Sequence, residues 1–271
     1  MPNHICITCG VEYPSAEKPP AHCPICQDER QYVNPLGQAW TTLAELQSDH
    51  HNLLDELEPG LTQIRTTPGF GIGQRALLIQ NPGGNVLWDC ISLIDDETIE
   101  AVTALGGISA LAMSHPHMFG SMVEWSHAFD NAPIYLHSDY EKWVQRPDSV
   151  IQFWEGETHE LAEGPTLYRT GGHFKGQTIL HWLEGASGRG VLLTTDAMYV
   201  NPGRQHVAFM YSYPNHIPLS VAAVDRIVEI VMPLKFDRIY SHFHLREIEA
   251  DAKDAIRRSV ERYKLAVGLP N

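Results

Sequence analysis

The length and composition of the chain are those of an ordinary folded protein. It has 271 residues, of which 43% are hydrophobic and 19% are charged, so we expect a substantial apolar core rather than disorder. The formal net charge is −14, with 19 Lys and Arg against 33 Asp and Glu, which disfavours a nucleic-acid partner because phosphate binding depends largely on basic side chains. No apolar run approaches the roughly 20 residues of a membrane helix, and the N-terminus shows no secretory signal. We therefore expect a cytoplasmic protein without a membrane partner.

The first 36 residues carry two Cys-x-x-Cys pairs, Cys6 with Cys9 and Cys23 with Cys26, and little strand or helix periodicity. Four thiolates at this spacing are typical of a closed tetrahedral zinc site, whose metal supplies folding energy that so short a segment lacks. Two disulfides or a redox-active pair are the alternatives, as is iron, because Cys-Pro-x-Cys resembles the second pair of rubredoxin. Rubredoxins space their pairs more widely, which favours structural zinc. We predict a zinc ribbon over residues 1–36, a second domain over 37–271, and a buried free thiol at Cys90.

Strand and helix patterns alternate through the rest of the chain. An amphipathic helix is expected from Thr42 to Leu54, with Thr41 or Thr42 as its N-cap, followed by a hairpin with strands at 75–80 and 85–89. The other expected strands are 109–113, 132–136, 177–183, 190–194 and 236–240, and the other expected helices are 98–105, 139–144, 221–231 and 248–265. This mixture predicts two sheets covered by helices on their outer faces.

Metal-binding side chains follow several of these strands. His115 and His117 come after the strand at 109–113, and residues two apart in an extended segment point the same way, so both imidazoles can reach one metal. His173, in a Gly-Gly-His segment, supplies a third. Three imidazoles with an open fourth position form the arrangement of a hydrolytic zinc centre. Asp196 and His242 also stand at strand ends.

The run from Ser114 to Gly120 resembles the HxHxDH loop of the metallo-β-lactamase fold superfamily, which includes the glyoxalase II-like hydrolases. The likeness extends from about Leu61 to Leu265 and leaves the ribbon outside. It implies an αββα sandwich of the α/β (α+β) class, with Asp196 as the carboxylate that bridges two metals and His242 as the final histidine ligand. His244 is an alternative to His242. Phe119 and Gly120 occupy the Asp-His places, and neither has a donor atom in its side chain.

That departure favours one catalytic ion over two. We expect His115, His117 and His173 to hold it, with Asp196 as fourth ligand or as base on bound water, and zinc as the metal in preference to iron or manganese. A second ion would need Asp196 and His242 joined by His244 or His127. Ordinary surface or hydrogen-bonded roles are predicted for eight other histidines, namely His50, His51, His127, His137, His159, His181, His206 and His216.

These features lead to a metal-dependent hydrolase of a small-molecule ester, thioester or lactone, with Asp196 and His242 as the catalytic residues. A weakened relative that uses its cleft to bind a ligand or a protein partner is the alternative, because two ligand positions are lost. An iron protein in redox chemistry is the third hypothesis, although the chain has no flavin-binding domain. A homo-oligomer is compatible with the sequence.

Overall fold

A computed structural model of the chain describes residues 1–161 and 164–268. The chain forms two compact units, Met1–Glu155 and Gly156–Asn271. The domain boundary expected after residue 36 stays a prediction. In the part of the chain that is described, none of the helices combines the length and the apolarity needed to span a bilayer.

The first unit is built on a seven-stranded sheet. Its strands, with the two that precede the sheet, are β1 (Ile5–Cys6), β2 (Trp40–Thr41), β3 (His51–Glu58), β4 (Leu61–Thr67), β5 (Arg75–Ile79), β6 (Val86–Trp88), β7 (Ala110–Ala112), β8 (Ile134–His137) and β9 (Ile151–Trp154), and its helices are α1 (Pro24–Gln27), α2 (Leu43–Asp49), α3 (Asp96–Ala104) and α4 (Met122–Ala128). The sheet runs in the order β3 to β9, antiparallel from β3 to β6 and parallel from there to β9. β1 and β2 form a separate antiparallel pair. Strand β7 therefore lies inside the sheet and delivers the histidine pair at its end.

Helix α2 is shorter than the sequence pattern predicts. Thr42 is its N-cap, in a capping box with Glu45, which confirms the predicted start. The helix ends at Asp49, and Leu53 and Leu54 belong to β3, where they pair with Arg65 and Ile64. Pairing with β4 outweighs the helical periodicity of this stretch.

The second unit contains a six-stranded sheet and two short hairpins. Its strands are β10 (Thr158–Glu160), β11 (Thr166–Arg169), β12 (Thr178–Trp182), β13 (Val191–Leu193), β14 (Tyr199–Val200), β15 (Val207–Ala208), β16 (Met210–Ser212), β17 (Ile217–Pro218), β18 (Arg238–Tyr240) and β19 (Glu247–Ile248), and its helices are α5 (Gly185–Gly188), α6 (Val221–Val231) and α7 (Ala252–Ala266). The sheet order is β10-β11-β12-β13-β18-β19, with β13 and β18 parallel. Because Leu193 pairs with Tyr240, the two strands end at the same edge of the sheet, and Asp196 and His242 follow them there.

Most predicted elements are present, and the differences have local causes. The helix expected at 248–265 begins at Ala252, because Ile248 pairs with Ile239 at the sheet edge. The segment expected as a helix at 139–144 is a 3-10 helix, Ser138–Trp143. Helix α6 has the predicted bounds, and its buried side chains Val224, Ile227 and Val231 lie in the core of the second unit.

Within the first unit, the N-terminal segment packs against the 90–92 segment and α4. The Ser92 hydroxyl donates to the carbonyl of Gly10 at 2.6 Å. The buried Glu12 carboxylate accepts from the guanidinium of Arg146, which also lies 2.7 Å from Glu124 Oε1. Burial raises the pKa of Glu12 to about 7 although the charge of Arg146 opposes the rise, and the nearby Glu124 adds to it. Glu12 is therefore a proton-binding group inside this packed junction.

We expect the stability of the protein to depend on pH through Glu12. The folded-state pKa of about 7 lies above the ordinary value of 4.5, so the folded chain binds this proton more tightly. The resulting stabilisation is complete below pH 4.5 and is lost as the pH rises to about 7, a change of about 3 kcal/mol. Denaturant unfolding should show that the free energy of unfolding of the wild type, relative to Glu12→Gln, falls over this range. A difference that stays constant would contradict the burial argument.

Candidate metal centres

The four paired cysteines converge in the first unit. Their sulfur atoms all lie within 4.8 Å of one another, and all four side chains are buried. Cys6 Sγ lies 3.6 Å from Cys26 Sγ, and Cys9 Sγ lies 3.6 Å from Cys23 Sγ. A tetrahedron of sulfurs about 2.3 Å from a central metal has edges of about 3.8 Å, so this donor set fits one four-coordinate ion. Every cysteine is a free thiol, Cys90 included, so the disulfide alternative is not the state of this structure.

Local turns and two polar side chains support the sulfurs. The amide of Gly10 donates to the carbonyl of Cys6 at 2.8 Å, closing the first knuckle. Tyr13 donates its hydroxyl to Cys23 Sγ at 3.1 Å, and Gln38 Nε2 donates to Cys6 Sγ at 3.2 Å. Hydrogen bonds from Cys23 and Cys26 lower the pKa of Cys6, whereas Cys23 and burial raise the pKa of Cys9. A full set of thiolates therefore needs a cation at its centre.

The histidine pair of the first unit is held by the backbone that precedes it. Asp89 Oδ1 accepts from the amide of Ser114 at 2.7 Å, and the Tyr140 hydroxyl donates to the Ser114 carbonyl at 2.6 Å. His115 is extended, but Pro116–Met118 forms a 3-10 turn, so the fully extended loop expected from the sequence is wrong. The two imidazoles still lie together, with ring centroids 4.9 Å apart, and both are buried.

Phe119 and Gly120 are packed against neighbouring residues. The Phe119 ring meets Tyr140 edge to face at 6.2 Å. Gly120 has a φ of +49°, and a Cβ built on it would lie 2.7 Å from the carbonyl oxygen of Ile91. A histidine at position 120 would therefore collide with the backbone. This geometry explains why the sequence departs from the HxHxDH pattern at that position.

In the second unit, one carboxylate lies between two imidazoles. Asp196 Oδ2 is 3.5 Å from His173 Nε2, and Asp196 Oδ1 is 3.4 Å from His242 Nε2. All three side chains are buried. The structure thus brings together the three predicted site residues that this unit contributes.

The other nitrogen of each ring has a partner of its own. His173 Nδ1 donates to the Met210 carbonyl at 3.1 Å, since a carbonyl can only accept. Ser241 donates its hydroxyl to the Thr195 carbonyl, so its oxygen accepts from His242 Nδ1 at 3.3 Å. Partners of this kind fix the tautomer in metal-ligating histidines. Each Nε2 therefore presents a lone pair toward a carboxylate oxygen, an arrangement that a shared cation or proton stabilises.

Tyr213 is a neighbour that the sequence did not place. Its ring lies 5.9 Å from that of His173, and its hydroxyl donates toward the carbonyls of Ala208 and Asp196. Burial raises the pKa of Tyr213 well above its ordinary value, and the charge of Asp196 adds to the rise. Tyr213 therefore stays a neutral hydrogen-bond donor. The sequence shows only how far Tyr213 lies along the chain from the Gly-His segment. That separation does not reveal that the Tyr213 ring lies beside His173.

His244 and His127 are the two alternative histidine ligands considered from the sequence. His244 is exposed, whereas His242 is buried against Asp196. His127 Nε2 lies 3.3 Å from Asp148 Oδ2 at an exposed position of the first unit. The geometry therefore favours His242 over His244.

Comparison of the sequence with known proteins identifies a relative that matches nearly the whole chain. No family model matches it. It is 48% identical over 265 residues to the uncharacterized protein YmaE of Bacillus subtilis (strain 168), a match that covers 97% of this chain and 96% of YmaE. The chain belongs to the YmaE family. Such identity over nearly the whole length shows common descent for both units of the chain.

Solved metallo-β-lactamases share the fold of this YmaE relative. The DIM-1 metallo-β-lactamase matches with a TM-score of 0.59 and 9% identity over 80% of this chain and 98% of that one. A Cronobacter sakazakii metallo-β-lactamase with a HARLDQ motif gives 0.55 and 16% over 82% and 96%. A B3 enzyme with an active-site glutamic acid gives 0.52 and 18% over 82% and 90%. The chain therefore has the metallo-β-lactamase fold, as the resemblance implied.

We expect His242 and His244 to differ in their effect on metal affinity. His242→Ala removes the imidazole that holds one oxygen of Asp196, so affinity for a divalent ion should fall about 10- to 100-fold. His244→Ala, the matched control two residues away, should leave affinity unchanged. Competition against a chromophoric chelator measures both variants. Equal losses, or a larger loss in His244→Ala, would show that His242 has been assigned the wrong role.

Proposed function

We propose that this protein is a metal-dependent hydrolase that acts on a small-molecule ester, thioester or lactone. The observation that carries the proposal is the Asp196 carboxylate between His173 and His242, each with its Nδ1 already engaged. His115 and His117 offer two further buried imidazoles on the first unit. These residue types are the ligands that zinc prefers in hydrolytic centres. Zinc is accordingly the metal we propose, both for these residues and for the four cysteines.

One ion is proposed at the histidines, with His115, His117 and His173 as ligands and Asp196 as fourth ligand or base. A divalent ion bound in this way supplies Lewis-acid chemistry, which polarises a scissile carbonyl and makes water a nucleophile at neutral pH. A second ion is not proposed, because Phe119 and Gly120 offer no donor side chain and Gly120 has no room for one.

The proposed roles of the other residues follow from their contacts. Asp196 accepts the proton of the attacking water when it is not itself a ligand. His242 positions Asp196, because the hydroxyl of Ser241 fixes its ring. Tyr213, kept neutral by burial, donates a hydrogen bond to backbone carbonyls and holds the segment that carries Asp196. A closed four-sulfur centre leaves no position for a substrate, so the cysteines are proposed to be structural.

A ligand-binding role without catalysis is the second candidate function. The observation that favours it is the loss of two donor positions at Phe119 and Gly120, where packing excludes a ligand side chain. Such a protein would still bind a small molecule beside the imidazoles but would turn over none. Metal analysis combined with hydrolysis assays distinguishes the two candidate functions.

Metal analysis of the purified protein, combined with hydrolysis assays, tests the proposal. The wild type should contain two equivalents of metal, one of which is lost in a His115→Ala/His117→Ala double variant. Hydrolysis of a panel of esters, thioesters and lactones should fall by at least about 100-fold in that variant. A His51→Ala/His159→Ala double variant is the control and should keep both metal and activity.

Other outcomes would count against the proposal in different ways. Equal metal content in the wild type and the His115→Ala/His117→Ala variant would mean that the histidines hold no ion. A lost equivalent without activity on any substrate of the panel would favour the binding role. Three equivalents in the wild type, two of which are lost together in the variant, would mean a two-metal centre at the histidines.

A further inference from the structure

The loop that carries His115 and His117 is bonded to the cysteine ribbon. We call residues 1–36 the ribbon, residues 6–12 its knuckle, and residues 114–121 the ligand loop. The amide of Glu12 in the knuckle donates to the carbonyl of Gly120 in the ligand loop at 3.0 Å. Gly120 lies three residues after His117, directly after the turn that positions both imidazoles. The loop and the ribbon therefore share a main-chain hydrogen bond beside the candidate ligands.

A second layer ties both segments to the strand-end segment 90–92. The Ser92 hydroxyl donates to the Gly10 carbonyl of the knuckle at 2.6 Å. The amide of Cys90 donates to the Met118 carbonyl of the loop at 3.0 Å, and the Ile91 carbonyl accepts from the amide of Ser121 at 3.3 Å. Knuckle, loop and strand-end segment are thus bonded pairwise. Displacing one segment therefore breaks its hydrogen bonds with the other two.

Charged side chains continue the junction beyond the loop. Arg146 bridges the buried Glu12 carboxylate of the knuckle and Glu124 of α4. Asn3 of the ribbon donates to Glu124 Oε1 at 2.9 Å and to Glu12 Oε1 at 3.3 Å. The ribbon therefore holds the ligand loop at Gly120 and the helix that follows the loop at Glu124. Both anchors come at or after the C-terminal end of the loop, whereas Asp89 and Tyr140 hold Ser114 at its N-terminal end.

The knuckle depends on the cysteines for its shape. The amide of Cys6 donates to the Val11 carbonyl at 3.0 Å, and the amide of Gly10 donates to the Cys6 carbonyl. The backbone groups that contact the body, the Gly10 carbonyl and the Glu12 amide, therefore lie within three residues of Cys9. Regular structure inside the ribbon amounts to a two-residue strand and a four-residue helix. A segment with so few backbone bonds of its own is stabilised by its metal.

We propose that the ribbon is a clamp on the ligand loop, so that metal in the four-cysteine centre fixes the loop and loss of that metal releases it. The residues that carry this positioning are Gly10, Glu12 and Ser92. The clamp also accounts for the glycine at position 120, whose carbonyl is bonded to the ribbon and where a Cβ would collide with the Ile91 carbonyl. The clamp bears on the proposed function because the loop carries His115 and His117. The contacts themselves depend on no reaction.

Hydrogen exchange of the full-length, metal-containing protein tests the clamp without any assay of activity. Ser92→Ala removes the hydroxyl that holds Gly10 and leaves every cysteine in place. Cys23→Ser weakens the four-sulfur centre from the α1 side and leaves the knuckle sequence intact. In both variants, exchange of peptides covering residues 114–125 should rise about tenfold, the effect of losing one hydrogen bond. Ser48→Ala, which removes a hydroxyl bond at the exposed end of α2, is the control and should change nothing there.

Each result decides the matter. If peptides of residues 5–13 lose protection in Cys23→Ser while those of 114–125 keep it, the ribbon is no clamp. If amides throughout the Cys23→Ser variant exchange rapidly, α7 included, that variant has unfolded and Ser92→Ala alone decides. Unchanged protection of the ligand loop in Ser92→Ala then overturns the proposal. Because protection is read from amides, a protein that hydrolyses no substrate can still confirm the clamp, and an active enzyme can still refute it.

Discussion

The proposed chemistry of this protein depends on one carboxylate that faces two imidazoles. Asp196 lies 3.5 Å from His173 Nε2 and 3.4 Å from His242 Nε2, in a buried environment where uncompensated charge is costly. The Met210 carbonyl and the Ser241 hydroxyl engage the Nδ1 atoms, so neither ring can turn its Nδ1 to Asp196 without losing a hydrogen bond. Parallel pairing of β13 and β18 brings Asp196 and His242 to one edge of the sheet. The fold thus brings two imidazoles to one carboxylate, the donor groups on which the proposed metal site depends.

The departure from the family pattern at Phe119 and Gly120 has a structural cause. The backbone at Gly120 runs so close to Ile91 that a side chain does not fit, and its carbonyl is bonded to Glu12. Where the resemblance would lead one to expect a second metal ligand, this chain has the docking point of its N-terminal segment. The proposal of a single ion and the proposal of a ribbon clamp therefore both rest on Gly120.

The sequence predicted the side chains that lie together within each unit better than it predicted their surroundings. His115, His117, His173, Asp196 and His242 were all recognisable, because each follows a strand and keeps the order of a known family. The start of α2 was also predicted, at Thr41 or Thr42, because an N-cap signal is local. Leu53 and Leu54 were misassigned to a helix, because their partners in β4 lie about ten residues away and outweigh local periodicity.

Contacts across long stretches of sequence could not be predicted. The Met210 carbonyl lies 37 residues from His173, and the Glu12 side chain lies 134 residues from Arg146. Nothing in the residue types at those positions specifies the pairing, because a backbone carbonyl or a lone arginine has no sequence signature. The docking of the ribbon near Gly120 belongs to the same class.

Anomalous X-ray diffraction, recorded on either side of the zinc absorption edge, locates the proposed ions. We expect two peaks in the anomalous difference map, one among the four cysteine sulfurs and one at His115, His117 and His173. A single peak at the sulfurs, with the imidazoles joined only by hydrogen bonds, would contradict this expectation.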